Sequence, residues 1–147
     1  TPGEAIAAMN NPAYAFCEKN NKLHNQLRQR LLTWSGHVRS WTEQQEIPVK
    51  VLRYEDMLAR PLEVFSEAAA FIGLCHTLEQ VQSALDRSAF DRLKQQESEK
   101  GFSEKNAKSG SFFRKGVAGD WKNHLDDGQV QQLIKAHGEV MQQFGYL

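Results

Sequence analysis

One segment of this 147-residue chain reads as a β-strand, and a strand alone leaves its backbone donors and acceptors unpaired. Val49-Lys50-Val51-Leu52-Arg53-Tyr54 is rich in β-branched residues and bounded by Pro48 and by Glu55-Asp56. The segments around it carry helical spacing or turn composition. A lone strand among helices is either lent to a partner or belongs to a larger parallel sheet. Val49, Val51 and Leu52 need covering on both faces, which suits the parallel case. The expected class is therefore α/β, with residues 1–147 supplying a mostly helical portion and a single parallel-type strand. This reading makes the chain part of a longer protein.

The helical segments follow from periodicity and caps. Residues 1–21 read as a short helix, a loop and an irregular entry. From residue 22 to about 45, Leu23, Leu27, Leu31, Trp34, Val38 and Trp41 step by three or four, the stripe of one long amphipathic helix. Gly36 interrupts it at a cost of about 1 kcal/mol relative to Ala, so close packing is expected there. Pro61 opens a helix with Leu62, Phe65, Ala69 and Ile72 inside and Gly73 at its end. Thr77 and Gln80 form a capping-box pattern, and Ser88 marks a second such start, running to about residue 99. Residues 100–111 are polar and expected to be mobile without ligand. Asp126-Asp127-Gly128-Gln129 caps a last helix whose Val130, Leu133, Ile134, His137, Met141 and Phe144 recur on one side.

Charge narrows the functional classes. Eighteen basic residues balance eighteen acidic ones, so no global field points to nucleic acid or an anionic membrane. Locally, residues 100–122 hold Lys100, Lys105, Lys108, Arg114, Lys115 and Lys122 against Glu104 and Asp120, an excess that suits a small polyanion. Cys17 and Cys75 fit no zinc spacing and make no disulfide framework, and the five histidines form no i, i+4 pair. A metal-free, cytoplasmic protein is expected, with no apolar run near the roughly 18 residues that span a bilayer.

The cationic excess peaks in Phe112-Phe113-Arg114-Lys115-Gly116-Val117-Ala118-Gly119-Asp120-Trp121-Lys122-Asn123. Arg114 offers a planar fork for two phosphate oxygens, and Lys115 adds a mobile point charge. Gly116 removes the side chain that would hold an anion off the backbone N–H groups. These residues read as a phosphate site. Trp121 is expected to anchor the turn in the core, Asp120 to cap the next helical turn, and Lys122 to be exposed.

The run 114–123 closely resembles the Arg-Lys-Gly-x-x-Gly-Asp-Trp-Lys-Asn signature of sulfotransferases that use 3′-phosphoadenosine 5′-phosphosulfate. Two further islands resemble the same family: His37-Val38-Arg39-Ser40-Trp41 with Pro48-Val49 and Leu52-Arg53-Tyr54-Glu55-Asp56-Met57, and Ser88-Ala89-Phe90-Asp91-Arg92-Leu93. The resemblance extends over roughly residues 31–143. It implies the C-terminal half of a bacterial-type member with a P-loop-like fold. By that resemblance Arg114, Lys115 and Gly116 clamp the 3′-phosphate, while Tyr54, Ser88 and Phe90 contact the adenine. Read on physical grounds alone, Tyr54 is a strand-end residue packed on the next helix, Ser88 an N-cap and Phe90 a core residue. Glu55 and Asp56, which diverge on leaving the strand, read as helix-capping residues rather than an acid–base pair.

Two departures limit the resemblance. No Gly-x-x-x-x-Gly-Lys loop for the 5′-phosphosulfate occurs in the chain, and the family's acceptor-activating histidine belongs with that loop, so no catalytic residue is assigned here. The eukaryotic dimer motif would begin at Lys122, but the sequence there lacks its Thr-Val and Glu, so that mode of dimerisation is not carried over. The expected activity is sulfuryl transfer to a hydroxyl or amine of a small-molecule or glycan acceptor, with this portion inert alone. The alternatives are a non-catalytic helical module that binds anions through Arg114-Lys115-Gly116, and a purely structural helical domain.

Overall fold

The computed structural model describes residues 1–17, 27–105 and 110–147. In chain order the elements are α1 (Pro2–Met9), β1 (Ala15–Phe16), β2 (Gln29–Arg30), α2 (Trp34–Thr42), α3 (Tyr54–Ala59), α4 (Pro61–Phe71), α5 (Leu78–Arg87), α6 (Phe90–Lys100), a 3-10 helix (Asp120–Asn123) and α7 (Asp127–Gln143). They fall into two compact units, Thr1–Val49 with Asp120–Leu147, and Lys50–Gly119, where the sequence suggests one undivided domain.

The first unit is organised by α7, against which α1 and α2 pack. Asp126 starts α7 as expected: the Gln129 N–H donates to its Oδ1 at 2.8 Å, and the Gln129 side chain accepts from the Asp126 N–H. The apolar stripe faces inward, with His137 and Val140 fully buried beside Ile6 of α1. The His137 Nδ1 lies 2.8 Å from the Ser35 hydroxyl, and the Trp34 ring meets its imidazole edge-on at 5.5 Å.

Burial holds the His137 pKa below its ordinary 6.5, because a charged imidazole would lose its hydration there. The unfolded chain therefore binds a proton here before the folded one does, and stability falls as pH drops below about 6.5. Urea midpoints between about pH 8 and pH 5 are expected to show this decline, and a His137→Leu variant a shallower one. Equal slopes in the two proteins would remove His137 as the cause.

The helix expected from residue 22 begins only at Trp34. Thr33 caps it, its hydroxyl accepting from the Gly36 N–H at 3.0 Å, and Leu32 has φ 64°, which no α-helix continues through. Upstream, Gln29–Arg30 pairs antiparallel with Ala15–Phe16 in the register Ala15↔Arg30 and Phe16↔Gln29. Leu23 and the start of the expected helix lie outside the described residues. Gly36 is closely packed: a Cβ there would stand 3.2 Å from both Leu32 Cβ and Thr33 Oγ1.

The segment expected as a solitary strand pairs with no other strand among the described residues. Residues 50–53 join no ladder, and Tyr54 is already the first residue of α3. The pairing of β1 with β2 is the only sheet among the described residues, so no parallel strand is found there. Val51, Leu52 and Tyr54 are 37–48% exposed, in keeping with a segment whose β-propensity has no neighbouring strand to act on. Glu55 and Asp56 occupy the first turn of α3, near Arg53 Nε, and make no side-chain cap.

Helices α3 and α5 pack on α4. The buried side of α4 runs through Val64, whereas Phe65 and Ile72, expected inside, are 38% and 68% exposed. Thr77 forms the predicted capping box with Gln80 and places Val81 in the core. Ser88 is not an N-cap. It closes α5, its hydroxyl donating to the Ala84 carbonyl at 2.8 Å, and α6 starts at Phe90 without a side-chain cap. No described helix is long and apolar enough to cross a membrane.

Candidate functional site

The candidate site is the turn after α6, and its geometry starts from Gly116. This residue has φ 64°, in the left-handed region where a Cβ is strained. It also lies flat against Phe90: a Cβ at Gly116 would sit 2.4 Å from the ring carbon Cδ2. Glycine is thus required twice, for its backbone conformation and for the contact. Gly119 is left-handed as well, at φ 78°, but nothing crowds it.

The residues before the turn are tightly held. Glu97 on α6 is 7% exposed, and its carboxylate faces the chain fifteen residues on. The Phe112 N–H donates to Oε1 at 2.7 Å, and the Phe113 N–H to Oε2 at 3.0 Å. The Ser111 hydroxyl lies 2.9 Å from Oε2, and Lys105 Nζ is 3.6 Å from Oε1. These donors, led by Phe112 and then Phe113, hold the Glu97 pKa at about 2 against an ordinary 4.5, outweighing desolvation.

Aromatic rings cover this anchor. Phe102 lies 4.6 Å from Phe112 and 5.2 Å from Phe113, and Phe113 meets Phe90 edge-on at 6.2 Å. Several described residues of the segment 100–111 join these contacts. Lys100 closes α6, while Phe102, Lys105 and Ser111 are all pinned to this cluster; residues 106–109, with Lys108, lie outside the described residues.

Arg114 and Lys115 come next in the chain and are exposed. No ion pair engages the Arg114 guanidinium among the described residues. Phe90 and Gly116 are brought together, one ring away from Arg114 through Phe113. Tyr54, at the head of α3, is 45% exposed and forms no ring pair with Phe90 among the described residues. Ser88, two residues before Phe90, lines a shallow, mostly apolar cleft of about 300 Å³ with Phe65, Ala69 and Leu85.

Downstream, in the first unit, Trp121 is not a core anchor. It is 50% exposed, and Lys122 Nζ stands 5.6 Å over its ring. Asp120 opens the 3-10 helix, and its carboxylate accepts from Asn123 Nδ2 and meets His124 Nε2, both at 3.0 Å.

Sequence reasoning missed Glu97. It sits in the polar run Lys94-Gln95-Gln96-Glu97-Ser98-Glu99-Lys100, where nothing distinguishes it from its solvated neighbours. Its partners are backbone N–H groups, which no residue pattern spells out.

Comparison with known proteins gives the family and a likeness of fold. Residues 6–145 match the sulfotransferase domain, and the chain belongs to that family. Sulfotransferase 6B1 of Danio rerio is 30% identical over 129 residues, covering 84% of this chain and 42% of that protein. The 3-alpha-hydroxysteroid sulfotransferase of Cavia porcellus is 31% identical over 113 residues, covering 74% and 39%. Cytosolic sulfotransferase 16 of Arabidopsis thaliana is 32% identical over 117 residues, covering 67% and 35%. The chain therefore spans about two fifths of the length of these curated relatives. Among solved structures, mouse sulfotransferase SULT7A1 complexed with PAP aligns at a TM-score of 0.58 with 20% identity, over 96% of this chain and 56% of that one, a likeness of fold.

Proposed function

We propose that this chain supplies the nucleoside and 3′-phosphate end of a sulfotransferase site, in an enzyme that moves a sulfuryl group from 3′-phosphoadenosine 5′-phosphosulfate to a hydroxyl or amine. The observation that carries the reading is the turn itself. Arg114, without an ion pair among the described residues, and an exposed Lys115 precede a left-handed Gly116 that Phe90 supports from below. Family membership and the unbroken run 114–123 favour the same role.

In this reading Arg114 grips two oxygens of the 3′-phosphate, Lys115 adds charge, and the backbone N–H groups around Gly116 complete the cradle. Tyr54, Ser88 and Phe90 serve the adenine. The nucleotide brings the activated sulfuryl group, and the cations fixed around it favour the charge that grows on the leaving phosphate. No residue of this chain is assigned a proton-transfer role, and no glycine-rich, lysine-bearing loop for the phosphosulfate occurs in its sequence. The acceptor class is a small molecule or glycan. We also read the protein as cytoplasmic and as bacterial in type.

Titration of the protein with 3′-phosphoadenosine 5′-phosphate and with adenosine 5′-phosphate tests the proposal. The 3′-phosphorylated nucleotide is expected to bind at least about tenfold tighter, since each hydrogen bond to a charged group contributes about 1.5–3 kcal/mol. Equal affinity would leave the turn a general anion-binding or structural feature.

A further inference from the structure

We infer that Glu97 is a positioning residue for the phosphate-gripping turn: its carboxylate fixes Ser111, Phe112 and Phe113 so that Arg114 leaves the cluster in one direction. The inference rests on the clamp reading of Arg114-Lys115-Gly116, and it assigns a task to the only buried acidic side chain among the described residues.

The geometry is specific to a carboxylate. Both oxygens are in use, Oε1 on the Phe112 N–H and Oε2 on the Phe113 N–H and the Ser111 hydroxyl. An amide offers one acceptor oxygen and a donating NH2, so either orientation of Gln sets a donor against a backbone donor. Asp is one methylene short of the same reach. The element that holds Glu97 is α6, an eleven-residue helix whose first residue, Phe90, is also the ring under Gly116. One rigid element therefore supports the turn at two points, the residue before Arg114 and the residue two after it.

Charge and geometry predict opposite signs, which makes the idea testable. A carboxylate near an anion site repels the ligand, so if Glu97 acted only through its charge, neutralising it would tighten phosphate binding. If it acts by holding the chain, neutralising it weakens binding. Lys105 from the following loop stands 3.6 Å from Oε1, and Lys100 from the end of α6 lines the same shallow cleft.

The experiment is calorimetric titration of the wild-type protein and Glu97→Gln with 3′-phosphoadenosine 5′-phosphate and adenosine 5′-phosphate, with thermal midpoints alongside. We expect the variant to lose about tenfold or more for the 3′-phosphorylated nucleotide and less than about twofold for the other, a differential of at least about fivefold, or about 1 kcal/mol. Unchanged or tighter binding of the 3′-phosphorylated nucleotide, or equal losses for both, would overturn the inference. A wild-type protein that does not discriminate the two would overturn the clamp reading, and this inference with it. Amide exchange in the wild-type protein decides the matter if the variant does not fold. The Phe112 and Phe113 amides are expected to exchange more slowly than those of Arg114 and Lys115, and faster or equal exchange would refute the anchor.

Discussion

Replacing Arg114 by Ala is expected to weaken binding of 3′-phosphoadenosine 5′-phosphate at least about tenfold, and to leave adenosine 5′-phosphate nearly unaffected. The guanidinium is exposed and carries no ion pair among the described residues, so its removal breaks no such contact that would lower the thermal midpoint. A bidentate grip makes two charge-assisted hydrogen bonds, each contributing about 1.5–3 kcal/mol. Tenfold corresponds to about 1.4 kcal/mol, so the stated loss is a lower bound. Arg114→Lys is expected to recover part of it, because an ammonium keeps the charge and loses the fork. The measurement is the ratio of the two dissociation constants. A ratio unchanged by Arg114→Ala would remove the residue from 3′-phosphate recognition.

Gly116→Val is expected to act differently, through the fold. Its φ of 64° costs a residue with a Cβ about 1–2 kcal/mol, and pressing new atoms onto Phe90 adds about 1–3 kcal/mol of overpacking. The thermal midpoint should fall by several degrees and both nucleotides should bind less well, since the displaced Phe90 belongs to the adenine side of the proposed site. Adding Phe90→Ala to Gly116→Val is expected to restore the packing part of the lost stability, while the backbone part remains. A valine variant with an unshifted midpoint would show that the turn adapts, and that glycine there serves the ligand alone.

The legible part of the sequence was local. The capping boxes at Thr77 and Asp126 are four-residue patterns whose donors and acceptors lie within one turn, and both form as expected. The inward stripe of α7 follows from spacing alone. The segment 49–54 reads as a strand solitary in this chain; no strand pairs with it among the described residues, and its last residue, Tyr54, begins α3 instead, since β-propensity acts only beside another strand. Ser88 stands between two helices, where one hydroxyl can begin the second or finish the first; its bond to Ala84 decides for the first. Hydrophobicity alone places Trp121 in the core, yet its indole is half exposed beneath the Lys122 ammonium. For the proposed site, the identity and order of Arg114, Lys115 and Gly116 are read straight from the sequence. The supports beneath them were not, because Glu97 acts on peptide N–H groups and Phe90 acts through a missing Cβ.

The hydroxyl at the end of α5 has a consequence for any base that meets it. A serine oxygen carries one hydrogen and two lone pairs, and the Ser88 hydrogen is already given to the Ala84 carbonyl. Toward solvent the oxygen is left as an acceptor only. A purine edge presenting an amino group can bond there without disturbing the helix end, whereas one presenting a carbonyl finds lone pair facing lone pair. In the proposed site, the way α5 terminates thus leaves Ser88 an acceptor, favouring ligands that bring the hydrogen themselves.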